Sequence, residues 1–213
     1  MFIPKKFQQD DLEEQIAMMQ KYSFASLVTC SEEGLEATQL PMIVAREDGK
    51  TVLRAHIAKA NPIWQSVQNG SEALVIFNGP NSYISPNHYP TKKEHGKAVP
   101  TWNYVAVHVK GKISFIHDSK WLYDIVDSLT TVHEKNSLEP WSIADAPAAY
   151  IERMLPAIVG VEIVASSIQG QWKLSQNQPE ANQRGVFEGL AATQDANATE
   201  MAAMLDERLK QTS

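Results

Sequence analysis

The run His56-Ile57-Ala58-Lys59-Ala60-Asn61-Pro62-Ile63-Trp64 joins a strand end, a lysine and a helix start. Lysine brings a full positive charge and asparagine brings amide donors. A helix start presents free N–H groups and partial positive charge. His56 adds a further donor. Together these groups suit a phosphate. An ordinary strand-to-helix connection with an exposed lysine is the plainer reading, and the pattern alone leaves both open.

Two further segments, Tyr83 to Tyr89 and Val99 to Tyr104, gather Tyr83, Tyr89, Tyr104 and Trp102 with Asn87, Asn103, Ser85 and Thr101. Aromatic side chains with amide and hydroxyl neighbours can line a slot for a flat heterocycle. A packed Ω-loop would use the same residues. Farther along stand Trp172-Lys173-Leu174-Ser175-Gln176-Asn177, with Arg184 beyond. This polar run follows a strand, and it also reads as a surface turn before a helix. His88, His95 and His108 share one region, but no HExxH or paired histidine-carboxylate spacing occurs, so no metal site is expected. There is no glycine-rich phosphate loop and no GxSxG elbow. Tyr104, His56 and His88 could move protons by chemical type, and none is assigned as catalytic.

The elements that must position these groups are legible from period and punctuation. Asp10 and Asp11 open a helix with Leu12, Ile16 and Met19 on one face. Ser23 to Ser31 and Leu35 to Ala45 form a hairpin around a Ser-Glu-Glu turn. Asp48-Gly49 marks a second turn, and Thr51 to Ala58 is the next strand. Asn61 to Gln68 reads as a short helix, capped by Asn61 with Pro62 in its first turn. Ala73 to Asn78 is continuously apolar, so burial on both faces is expected. Gly79 to Tyr104 shows no period and reads as a long loop before the strand Val105 to Ile116. Asp118 to Lys135 and Ala146 to Met154 are helices, Ala157 to Ser167 is a strand that Gln171 to Ser175 extends after Gly170, and Glu180 to Leu190 and Thr199 to Lys210 are helices. Antiparallel hairpins dominate the first half. No strand-helix alternation runs throughout, so a small barrel with helices over its openings fits better than a doubly wound sheet.

The 213 residues suffice for one sizeable domain, or a domain with a helical appendage. A formal net charge of -6 argues against a nucleic-acid-binding face, which is usually basic. The densest basic stretch, Lys92, Lys93, His95 and Lys97, is short and broken by Glu94. The single cysteine, Cys30, permits no internal disulfide and suits a reducing cytoplasm. Its place in a strand predicts a small buried hydrophobe. No secretory signal is legible, and no run approaches the ~20 apolar residues of a membrane helix. The expectation is a soluble, cytoplasmic protein without a membrane partner.

With these residues in view, the chain resembles the PaiB-like family of FMN-binding negative transcriptional regulators. The landmarks stand in order as HIAKANPIW, YISPNHY, KAVPTWNY, VHVKG and KLSQN, and the match spans nearly the whole chain. The resemblance implies an antiparallel FMN-binding split β-barrel, mainly β with peripheral helices (α+β), assembled as a homodimer with FMN at the interface. It implies a barrel domain over residues 1–170, and a C-terminal segment over 171–213 packing on the barrel or the dimer partner. Lys59 and Asn61 then look like phosphate ligands, with His56 and Ala58 beside them. Thr101, Trp102 and Asn103 fall near the flavin ring or ribityl chain. Lys173, Ser175, Gln176 and Asn177 become late-chain contacts donated by the partner subunit. Two positions depart from the pattern: His88 stands where tryptophan is common, and Lys59 where arginine is common. Lysine keeps the charge but loses the bidentate fork. The resemblance supports a flavin-dependent oxidoreductase. The alternative is a non-enzymatic negative transcriptional regulator using FMN as ligand or structural element, with DNA as a partner that the charge balance does not favour.

Overall fold

A computed structural model describes residues 1–212. Helix and strand have nearly equal shares, about 38% and 37%. The chain divides into two compact units. One contains residues 1–15, 78–107 and the chain from Gln169 onward; the other contains residues 16–77 and 108–168. The strands are β1 (Gln8–Gln9), β2 (Phe24–Ser31), β3 (Gly34–Pro41), β4 (Ile43–Glu47), β5 (Lys50–Ala58), β6 (Glu72–Ile84), β7 (Thr101–Ile116) and β8 (Ile158–Lys173). Their order in the sheet is β3-β2-β6-β7-β8-β5-β4, and β1 pairs with β8. The pairings β2–β3, β2–β6, β4–β5, β5–β8 and β1–β8 are antiparallel. The expected antiparallel sheet with peripheral helices is therefore present.

In the second unit, β2, β6 and the latter half of β5 bury alternate residues. Leu27, Leu53, Ala55, Val75 and Phe77 are fully enclosed or nearly so. Alternation follows from the pleat, which points successive side chains to opposite faces. It overturns two expectations. Leu74 and Ile76 are only half-buried, so β6 packs one face and not both. Cys30 is exposed, because Thr29 takes the inward position on β2 and Cys30 the outward one. Asp48 and Gly49 both have positive φ, 48° and 79°, as a tight β4–β5 hairpin requires. Arg54 on β5 ties three strands. Its Nη1 and Nη2 donate to Glu47 at 2.6 and 2.7 Å, and its Nε donates to Glu162 at 2.7 Å.

Helix α4 (Ser119–Glu134) starts where the Asp118 carboxylate accepts from the Trp121 N–H at 2.8 Å. It buries Leu122, Ile125 and Leu129 and packs against β5. Val132, expected on the same face, is exposed. The Trp121 ring lies over Gly160 of β8, where an added Cβ would come within 2.2 Å of it. Helix α5 (Ala148–Met154) ends just before Pro156.

In the first unit, α6 (Glu180–Ala191) and α7 (Ala196–Thr212) pack together, and they bury Val186, Leu190, Met201 and Leu205. The N-terminal α1 (Leu12–Lys21) begins at Asp11, whose Oδ1 accepts from the Glu13 and Glu14 N–H groups at 2.9 and 3.1 Å. The expected long loop over residues 79–104 is mostly ordered. β6 continues to Ile84, a 3-10 turn spans Pro86–His88, α3 covers Lys92–His95, and β7 begins at Thr101. Prolines and asparagines masked the period there: Asn81 and Tyr83 face solvent while Pro80 and Ile84 are buried.

Candidate functional site

The residues singled out in the sequence fall into two clusters, one in each unit. The first is the end of β5. Its last sheet bond is from the Lys59 N–H to the Ala157 carbonyl, at 2.8 Å. The chain then turns, and the Asn61 N–H donates to the Ala58 carbonyl at 2.9 Å. The Asn61 Oδ1 accepts from the Ile63 N–H at 3.1 Å, and Ile63 is fully buried. The expected helix is a single turn, α2 (Ile63–Ser66). So short a helix offers little dipole at its start, and the charged or donor groups of the segment are its side chains. Trp64 pins the segment: its Nε1 donates to the Lys59 carbonyl at 2.9 Å, and its ring meets His117 edge-on at 5.2 Å.

This arrangement fixes the Lys59 backbone and leaves its side chain exposed. The ammonium has no hydrogen bond or ion pair among the described residues. Asn61 retains its amide nitrogen as a donor, because only its oxygen is used in the turn. Ala58 is exposed at the strand end, and His56 is half-buried two residues before it. The His56 Nδ1 is buried without a hydrogen-bond partner.

Burial holds the His56 imidazole below the ordinary histidine range, and burial does the same for His108. A histidine depressed in the folded state binds fewer protons there than in the unfolded chain. Its contribution to stability is complete above the unfolded value of about 6.5, and it is lost as pH falls through the folded value. The urea midpoint is therefore expected to drop as pH is lowered from 7 toward 5, with a shallower drop in His56→Gln. Equal slopes for the two proteins would remove His56 from the account.

The second cluster joins the start of β7 to the end of β8. Lys173 Nζ donates to Thr101 Oγ1 at 2.6 Å. Lys173 is half-buried, and burial lowers the pKa of its ammonium. No carboxylate pairs with it among the described residues. Asn103 and Ser175 are buried, with the Asn103 Nδ2 donating to Ser175 Oγ at 2.9 Å. Gln176 folds back on its own turn, its Oε1 accepting from the Leu174 N–H at 2.6 Å. Asn177 is exposed.

Trp102 lies on the opposite face of β7 from Thr101 and Asn103, as strand alternation dictates. It is half exposed, donates from Nε1 to Asn81 Oδ1 at 3.2 Å, and meets Tyr83 edge-on at 6.1 Å. Sequence reasoning missed Asn81; the outward alternation of Asn81 and Tyr83 was the available signal. His88 is also accounted for locally. Its ring fills a notch on α6, where a Cβ at Gly189 would come within 2.5 Å of it, and its carbonyl lies 2.1 Å from a Cβ built at Gly185. The histidine thus matches a helix face left bare by two glycines one turn apart.

The donor sets fit an anionic, polar ligand. Each cluster presents a lysine that has no acidic partner among the described residues, set among amide or hydroxyl groups. Comparison with known proteins points the same way. Residues 1–167 match the family model described as "Putative FMN-binding domain". The chain is 33% identical over 210 residues, 99% of each chain, to "Protease synthase and sporulation protein PAI 2" of Bacillus subtilis. Its fold is similar to that of an FAD and heme binding protein from Mycobacterium smegmatis, with a TM-score of 0.57, 12% identity, and coverage of 85% of this chain and 80% of that one. It is also similar to the flavocytochrome Anf3 from Azotobacter vinelandii, with a TM-score of 0.56, 11% identity, and coverage of 78% and 69%. At these identities the two structural likenesses are of fold alone.

Proposed function

Because the chain belongs to the FMN-binding domain family matched over residues 1–167, we propose that it is a cytoplasmic, homodimeric flavoprotein that works as an FMN-dependent oxidoreductase. The observation that carries the reading is Lys59: an ammonium without a partner among the described residues, on a backbone pinned by Ala157, Trp64 and the Asn61 turn. Lys59 and Asn61 would hold the FMN phosphate, with Ala58 and the His56 ring beside them. A charge-assisted contact of this kind is stronger than a neutral one. Bound FMN supplies one- and two-electron redox chemistry, which the protein orients and tunes.

Homodimerisation is part of the reading, since Thr101 and Lys173 would then reach a flavin held by a second copy. The Lys173 ammonium, steadied by the Thr101 hydroxyl, would help to hold the bound flavin and would favour negative charge on it. Trp102 and Asn177, both exposed, remain available for contact. No side chain is assigned as general acid or base.

A second reading is a negative transcriptional regulator that carries FMN as ligand. It is favoured by 33% identity to a protein named for protease synthesis and sporulation. The net charge of -6 counts against direct contact with DNA. Among the described residues no helix is long and apolar enough to cross a membrane.

Titration of purified protein with FMN, followed by flavin fluorescence or calorimetry, is expected to saturate with a Kd below about 100 μM, some −5.5 kcal/mol. Absence of saturable binding in that range overturns the proposal. With flavin bound, bleaching of its absorbance by a nicotinamide donor separates the enzyme from the regulator.

A further inference from the structure

We infer, on the FMN-binding reading above, that Asn103 and Ser175 are positioning residues: they lock the turn after β8 that holds Lys173 in place and do not themselves contact the cofactor. Ser175 has φ 59°, the left-handed region that side-chain-bearing residues rarely adopt. Such a conformation persists only where its surroundings over-determine it. Here they do. Asn103 is 0% exposed and Ser175 2% exposed, so neither presents surface to a ligand. The Ser175 hydroxyl accepts from the Asn103 Nδ2 at 2.9 Å and lies 3.3 Å from its Oδ1, so one amide uses both its donor and its acceptor capacity.

The turn around Ser175 is closed by three more bonds. The Gln178 N–H donates to the Ser175 carbonyl at 2.9 Å. The Leu174 N–H donates to Gln176 Oε1 at 2.6 Å, and Gln176 Nε2 donates to the Trp172 carbonyl at 2.5 Å. These bonds depend on the left-handed residue at their centre. Lys173 stands two residues before it, at the last position of β8, and reaches Thr101 on the same face of β7 as Asn103. If Ser175 relaxes, the Gln176 bridges open and the Lys173 ammonium loses its fixed place. Gln176 is a positioning residue by the same argument, since both ends of its amide serve the backbone of its own turn.

The experiment compares Ser175→Ala with Ser175→Gly. Both remove the hydroxyl, but glycine adopts positive φ freely and alanine does not. If Ser175 positions, Ser175→Ala weakens FMN binding by roughly tenfold, and Ser175→Gly recovers most of that loss. Adding Asn103→Ala to Ser175→Gly then leaves the affinity close to that of Ser175→Gly alone. If Ser175 or Asn103 touches FMN, alanine and glycine at 175 weaken binding equally, or Asn103→Ala weakens it again in the glycine background; either result overturns the inference. Hydrogen exchange at the Leu174 and Gln178 amides, measured without FMN, decides the same point independently. Faster exchange in Ser175→Ala than in Ser175→Gly supports positioning, and equal exchange overturns it. A wild-type protein that binds no FMN removes the function proposed above, while the exchange result still stands or falls by itself.

Discussion

Phe77→Ala is expected to lower the folding free energy by about 3–5 kcal/mol, seen as a reduced urea midpoint at unchanged m-value. Phe77 is fully enclosed, on the face of β6 that also buries Ala73 and Val75. Removing its ring loses the transfer free energy of the buried carbons and leaves a cavity that a sheet core cannot readily close. The backbone of β6 is committed on that stretch, pairing Ile76 with Ser26 and Val75 with Leu27. It therefore cannot shift inward without breaking ladder bonds. Phe77→Leu keeps most of the volume and should cost less than about 1.5 kcal/mol. A loss below about 1 kcal/mol for the alanine variant would show that this face is not the core.

Lys59→Ala is expected to weaken FMN binding by about 1.5–3 kcal/mol, roughly 10- to 150-fold in Kd. The magnitude is that of a hydrogen bond to a charged group, lost without replacement. The urea midpoint should hardly move, because Lys59 is exposed and its side chain has no partner among the described residues. Binding and folding are thus separable at this position. Lys59→Arg keeps the charge and should stay within a few-fold of wild type. The wild-type affinity should also fall with added salt, since an exposed ion pair is screened within about 8 Å at physiological ionic strength. An unchanged Kd in Lys59→Ala would move the phosphate away from this segment.

Much of this was legible in the chain. Asp48-Gly49 announces its hairpin because few residues other than glycine, asparagine and aspartate tolerate positive φ. Asp118 announces α4 because a carboxylate can cap free N–H groups. The turn from β5 into α2 could be located, since Asn61 and Pro62 together favour a strand-to-helix connection. Other features were hidden for physical reasons. Ser175 gives no local sign of a left-handed backbone, which Asn103 imposes from 72 positions away. The strand ends around residues 79–84 and 101–104 are set by pairing with neighbours, against the local bias of proline and asparagine. The exposure of Cys30 depends on which face of β2 is covered, and a strand with apolar residues on both faces does not declare it. His88 against Gly185 and Gly189 required knowing that α6 returns to the 86–88 turn.

The Trp121 ring over Gly160 has a meaning for how this chain can change. A side chain at 160 needs the space that the indole occupies, within 2.2 Å of where its Cβ would stand. The two positions are therefore epistatic, and the order of steps matters. A lineage that first shrinks residue 121 leaves a void it can later fill from 160. One that first enlarges 160 must pass through an overcrowded intermediate. A larger residue at 160 therefore calls for a smaller one at 121, and the two positions are constrained together.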